Sequence, residues 1–148
     1  MGYGRHTALL AQTGFTVFGI DRDSAGVQHT MRTLRDKGLS ASLWVADLEI
    51  SEWPMGFCCD LVLCTRFLQR SLWPVLRRVV APGGFVIYET FLTSQRRLGW
   101  GPRSSAHLLE SGELGGVFDD WELWHYEEHD APEAVAQLVA RKPSHPPR

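Results

Sequence analysis

Residues 2–23 read GYGRHTALLAQTGFTVFGIDRD, and this stretch decides the fold. Gly2 and Gly4 stand before a short apolar helix over 5–13, to which Ala8, Leu9 and Ala11 contribute, and Gly14 suits its left-handed C-terminal cap. FTVFGI (15–20) is aromatic and β-branched without polar alternation, the pattern of a strand buried on both faces. Asp21 closes that strand. Glycines ahead of a helix let a ligand approach the backbone, and the helix N-terminus favours negative charge. A glycine turn, a helix, a strand and then a carboxylate is the arrangement that grips a ribose through its two hydroxyls. An ordinary helix-capping acid is the plainer reading of Asp21 alone.

Outward from this stretch the same rhythm continues. Asp23 and Ser24 cap a second helix, with Val27, Met31 and Leu34 on one stripe and Gly38 at its end. LSASLWVAD (39–47) and DLVLCT (60–65) read as strands. Residues 71–81 carry Leu72, Leu76 and Val79 at helical spacing, with Pro74 in the first turn and APGG (81–84) as the break. FVIYETF (85–91) is a further strand, followed by a Gly- and Arg-rich loop (92–105) and a short helix around Gly112. WELWHYEEH (121–129) and AVAQLVARK (134–142) close the chain as a hairpin through Asp130-Ala131-Pro132. Apolar strands alternating with helices predict an α/β fold, a doubly wound and mostly parallel sheet with helices on both faces and a C-terminal antiparallel hairpin. Ligands in such sheets sit at the carboxyl ends of the strands.

The chain has 148 residues, 44% of them hydrophobic, and a formal net charge of −2. That length predicts one domain (1–142) and a disordered tail (143–148). No apolar run approaches the roughly 18–20 residues of a membrane span. No apolar signal region opens the sequence, so the expected compartment is cytoplasmic. Cys58, Cys59 and Cys64 form neither a disulfide framework nor paired zinc spacing, and no metal site is expected. Charge is unevenly placed. Seven arginines (Arg66, Arg70, Arg77, Arg78, Arg96, Arg97, Arg103) face one acid, Glu89, between 66 and 103, whereas 119–133 holds seven acids and no Lys or Arg. Blocks of this kind face each other or solvent by default; the alternative is attraction of an anionic ligand. Asp47-Leu48-Glu49 follows a strand as Asp21 does, and two acids after two successive strands suggest a nucleoside site.

Taken in order, GYGRHTALLAQTGFTVFGIDRD, VADLE, FCCDLVLCTRFL and APGGFVIYET resemble the class I S-adenosylmethionine-dependent methyltransferases. FLQRSLWPVLRRVVAPGGFVIYETF, with LLESGEL after it, is most similar to their small-molecule branch, which includes tellurite-resistance and thiopurine methyltransferase-like proteins. The resemblance covers roughly residues 2–141. It implies a Rossmann-like fold, an enzyme, S-adenosylmethionine as cofactor and a small-molecule substrate. Carried onto this chain, Gly2 and Gly4 lie under the methionine portion of the cofactor, Asp21 binds the ribose hydroxyls, and Asp47 and Leu48 frame the adenine. Thr65, Arg66 and Phe67 line the reactive end and the substrate pocket, which Tyr88 and Glu89 can reach. Arg66, Arg70, Arg96, Arg97 and Arg103 orient an anionic substrate, and 94–103 reads as a mobile basic lid or an exposed connector. No residue is assigned as a catalyst, and the scattered histidines form no dyad.

The chain departs from the resemblance at its start. Family members carry an apolar strand and a further glycine ahead of these positions, which predicts an N-terminally incomplete version of a longer protein. Without that first strand two neighbouring strands lack backbone partners, at about 1–3 kcal/mol for each unmade buried hydrogen bond. Methyl transfer from a sulfonium is an in-line displacement, and soft nucleophiles such as thiols or chalcogen anions need little general base. Two other readings stay open: a non-catalytic methyltransferase-like module and a nicotinamide-dependent oxidoreductase. No NPPY- or DPPY-like tetrapeptide follows DLVLCT, and the near-neutral charge also argues against a nucleic-acid partner. Neither a membrane nor a defined oligomeric state is expected from the sequence.

Overall fold

The computed structural model describes residues 2–51, 53 and 56–144. They fall into two compact units, Met1–Trp53 and Pro54–Arg148. In the first, α1 (Arg5–Gln12) leads to β1 (Phe18–Asp21), α2 (Ser24–Asp36) and β2 (Ser42–Val45). The Asp23 carboxylate accepts the Ala25 N–H and caps α2, as its position predicts. β1 and β2 are parallel, with Asp21 opposite Val45, and Thr30 and Leu34 of α2 are buried.

Three expectations in this unit need correction. Met31 is exposed, and the buried stripe of α2 runs through Gly26, Val27, Thr30 and Leu34 instead. The helix turns its polar Thr30 inward because the hydroxyl donates to the Gly26 carbonyl (2.8 Å), which satisfies it without water. The strand of 15–20 forms only from Phe18, and it is not buried on both faces. Phe18 stays exposed beside Trp44, their stacked ring centroids 5.7 Å apart. β2 is likewise shorter than the expected 39–47 and spans only Ser42–Val45.

In the second unit, β3 (Cys59–Thr65), α3 (Trp73–Val79) and β4 (Val80–Phe91) form a parallel crossover. α4 (Glu113–Val117) and the antiparallel strands β5 (Glu122–His129) and β6 (Val135–Arg141) complete a sheet of order β3-β4-β6-β5. The expected hairpin is thus present. APGG does not separate helix from strand, because β4 already begins at Val80; a register shift after Cys59 absorbs the extra residues. Gly84 is needed there, since a Cβ would lie 2.8 Å from the Asp60 carbonyl. Among the described strands, β1 pairs only with β2 and β3 only with β4.

The core of this sheet follows from alternation. Val86, Tyr88 and Thr90 on β4 stand opposite Ala140, Leu138 and Ala136 on β6, and all six are buried. Setting alanines against the larger partners keeps that layer at close-packed density. Lys142 ends the helix-to-strand junction by donating to the Arg77 and Val80 carbonyls, both at 2.7 Å. Among the described residues no helix is long and apolar enough to cross a membrane. The tail expected to be disordered lies, for 145–148, outside the described residues.

Candidate functional site

The first unit gathers Gly2, Gly4 and Asp21. Gly4 caps α1 with φ 78°, a left-handed conformation, and its carbonyl takes the Ala8 N–H at 2.9 Å. No side chain fits at Gly4, because a Cβ would stand 2.3 Å from Thr30 Cγ2. At Gly2 the same construction meets nothing within 4 Å, so open space stands where a Cβ would be. Asp21 holds the turn in place. Its Oδ2 accepts the Gly2 N–H (2.6 Å) and its Oδ1 accepts the Asp23 N–H (2.9 Å). Burial raises the Asp21 pKa, but the Asp23 and Gly2 N–H donors, together with the N-terminal positive charge, act against it and leave the carboxyl below its usual range.

The neighbouring strand end is joined to this one. Ala46 donates to the Asp21 carbonyl at 3.0 Å, and Asp47 Oδ1 accepts the Glu49 N–H at 3.0 Å. Asp47 and half-buried Leu48 therefore follow β2 as Asp21 ends β1, at the same carboxyl end of a parallel pair. Glu49 reaches Arg22 at 3.7 Å.

The second unit gathers the other expected residues. Thr65 ends β3 opposite Glu89 of β4, and the Arg66 N–H donates to the Glu89 carbonyl at 2.8 Å. Arg66 then adopts φ 56°, uncommon for a residue with a side chain. Its guanidinium donates to Glu89 Oε1 (3.3 Å) and to both oxygens of Glu133, and it lies 4.5 Å over the Phe91 ring. The Glu133 hydrogen bonds are the main reason its pKa is raised. Tyr88, only 1% exposed, donates its hydroxyl to the Phe67 carbonyl at 2.8 Å, and the Cys64 thiol points to the same oxygen at 3.8 Å. Burial pushes the Tyr88 pKa far up and that of Cys64 up to about 11. Both protons are held, and both side chains fix the turn that follows β3.

Arg70 has a different setting from the one its sequence position suggested. Its Nε donates to Glu113, Nη1 to the Ser105 and Ala106 carbonyls, and Nη2 to the Leu108 carbonyl and Glu113. A guanidinium has five N–H donors, so Arg70 is committed to holding the 105–113 segment and has none left for a substrate. Arg97 is exposed and has no ion-pair partner among the described residues.

Several residues of this end of the sheet escaped the sequence reading. Glu133 pairs with Arg66, and Gln137 donates to Glu89 Oε2 at 2.6 Å. Gln95, 0% exposed, donates to the Trp100 carbonyl (3.1 Å) and accepts the Ala134 N–H (2.7 Å). Trp100 meets Phe91 edge to face, centroids 5.9 Å apart. The complementary charge blocks were the one available signal: Arg66–Glu133 and Arg77–Asp120 (2.6 Å) join them across the fold. Nothing in sequence separates Gln95 from any other glutamine. Among the described residues, no group of three or more His, Cys, Asp or Glu side chains is placed to hold a metal ion.

No protein-family model matches the chain, and no curated protein sequence matches it. Solved structures do. TehB from Haemophilus influenzae superposes with a TM-score of 0.81 at 20% identity, over 95% of this chain and 55% of TehB. The chain thus spans about half the length of that protein. A SAM-dependent methyltransferase from Methanosarcina mazei gives 0.68 at 18% identity, over 97% of this chain and 90% of the other. The N-methyltransferase NodS from Bradyrhizobium japonicum WM9, in complex with S-adenosyl-L-homocysteine, gives 0.73 at 17% identity, over 95% and 74%. Likeness at these identities speaks to backbone architecture and leaves the chemistry to the site. The chain has the fold of the S-adenosylmethionine-dependent methyltransferases.

Proposed function

We propose that the protein transfers a methyl group from S-adenosylmethionine to a small molecule. The observation that carries the proposal is the Gly2–Gly4 turn locked to an ionised Asp21 at the carboxyl end of β1. The residues present fit the cofactor. An ionised carboxylate only accepts hydrogen bonds, as a ribose diol requires, and the space beside Gly2 leaves backbone open to a ligand. Asp21 would take the ribose hydroxyls, Asp47 and Leu48 the adenine, and Gly2 and Gly4 the methionine portion. When bound, the cofactor supplies an electrophilic methyl group on a sulfonium.

The chain's own residues orient the acceptor and keep water out. Thr65, Arg66 and Phe67 form the turn after β3 that faces the acceptor, and Tyr88 acts by holding that turn through the Phe67 carbonyl. Arg66 is itself held by two carboxylates, so it shapes the turn's edge instead of offering a free cation. Around this turn the Tyr88 and Cys64 protons are held by burial and the carboxylates are tied to Arg66. Among the described residues of this turn no group is poised as a general base. A soft nucleophile that needs none, a thiol or a chalcogen anion, is the acceptor this supports.

Calorimetric titration with S-adenosyl-L-homocysteine tests the reading. Binding to the chain and an affinity at least about tenfold weaker in Asp21→Asn are expected, since the variant replaces a charged acceptor by a neutral one. Absence of binding by a chain that is folded by circular dichroism would refute it.

A further inference from the structure

Salt bridges sort the arginines into two groups. Arg66, Arg70 and Arg77 each meet a carboxylate within the second unit. Arg96, Arg97 and Arg103 meet none among the described residues, and residues 90–109 contain no Asp or Glu. The three belong to one loop whose ends are tied together. Arg96 Nε donates to the Arg103 carbonyl at 2.9 Å, and the buried Gln95 amide holds the Trp100 carbonyl from within. Gly99 and Gly101 turn the chain with φ of 77° and 86° on either side of Trp100. Three cations on a short closed loop repel one another, and an extended loop would let them separate. This loop instead keeps them together, fastened by Gln95 to Ala134 rather than hanging as a free lid.

Trp100 adds a second feature. Its ring is fixed edge-on against Phe91 yet remains 48% exposed, so an indole surface stands within the arginine loop. Phe91 ends β4, whose Glu89 faces Thr65, so the loop leaves the sheet at the carboxyl end that carries the Arg66 turn.

We propose that the loop 96–103 is a recognition site for an organic anion with a planar apolar body, the anionic group meeting Arg97 and Arg103 and the body lying against Trp100. That this anion belongs to the methyl acceptor rests on the function proposed above; the binding itself does not. Arginine is suited to the task because its fork matches carboxylate and oxyanion geometry and is weakly hydrated.

The test uses three probes with one ring system: 2-naphthoate, 2-naphthalenemethanol and 2-naphthylmethylammonium. Each is titrated into the chain while the Trp100 indole N–H resonance, assigned with Trp100→Phe, is followed by NMR. Naphthoate is expected to shift that resonance and to bind at least about tenfold more tightly than the cation, weakening as salt rises from about 50 mM to about 500 mM. Arg97→Gln/Arg103→Gln should abolish the preference, and Arg97→Lys/Arg103→Lys should restore part of it. Equal binding of the three probes, no binding of naphthoate, or an undiminished preference in the Gln variant of unchanged circular dichroism would overturn the proposal. Titration with S-adenosyl-L-homocysteine on the same samples separates the two claims. Arginine-dependent naphthoate binding without S-adenosyl-L-homocysteine binding sinks the methyltransferase reading and leaves the anion site standing; the reverse result sinks the anion site alone.

Discussion

Replacing Gly4 by alanine probes the turn on which the first unit and its candidate ligand site depend. Two costs follow from the structure. The backbone at φ 78° is left-handed, which costs a residue with a Cβ about 1–2 kcal/mol. The added methyl would also lie 2.3, 2.4 and 2.8 Å from Cγ2, Oγ1 and Cβ of Thr30. Thr30 cannot swing aside freely, because it is buried and its hydroxyl donates to the Gly26 carbonyl at 2.8 Å. Overpacking of this kind costs about 1–3 kcal/mol. Gly4→Ala should therefore destabilise by about 2–5 kcal/mol, measured by urea unfolding followed by circular dichroism. Combining it with Thr30→Ala removes the Cγ2 and Oγ1 overlaps while the backbone cost stays. The double-mutant cycle should show a favourable coupling of about 1 kcal/mol or more. A Gly4→Ala variant within about 0.5 kcal/mol of the parent would refute the whole argument. An additive cycle would refute the packing part and leave the backbone as the sole cause.

Tyr88→Phe keeps the ring but leaves the Phe67 carbonyl with only the weak Cys64 thiol donor, and a loss of about 1–2 kcal/mol in urea unfolding is expected; an unchanged midpoint would show that the hydroxyl does not hold the turn. At pH 8, exposed Cys58 should react readily with a thiol reagent, whereas half-buried Cys64, its thiol raised to about 11, should react far more slowly. Labelling of Cys64 in the native chain as fast as that of Cys58, read by peptide mass spectrometry, would contradict the raised thiol. The Arg70 hydrogen bonds hold the Glu113 pKa below its ordinary 4.5. A depressed carboxylate stabilises fully above its unfolded-state pKa and loses that contribution as pH falls through the folded-state value. Glu113→Gln should therefore lower stability at neutral pH and flatten its decline on the acid side; identical pH profiles for variant and parent would count against the pair.

The sequence determined the local elements and their order. Asp23 as a helix cap, Pro74 in a first turn and the 121–142 hairpin follow from backbone chemistry within a few residues, where short-range forces decide. The Gly2–Gly4–Asp21 constellation was legible for the same reason, since a glycine turn and a strand-end carboxylate are separated by one helix. Only the tertiary structure decided which partners long-range contacts select. Met31 lies in the sequence stripe yet faces outward, because the buried Thr30 satisfies its hydroxyl inside the helix. β4 takes in APGG because Lys142, distant in sequence, offers it backbone partners: its carbonyl accepts the Gly83 N–H and its N–H donates to the Gly84 carbonyl. The arginines show the distinction most fully. Along the chain Arg70 and Arg97 are equivalent cations, but folding places Glu113 and three carbonyls around the first and, among the described residues, no carboxylate in an ion pair with the second. Periodicity and propensity act over a few residues, whereas charge pairing and close packing depend on which distant segments meet, and no local pattern encodes that choice.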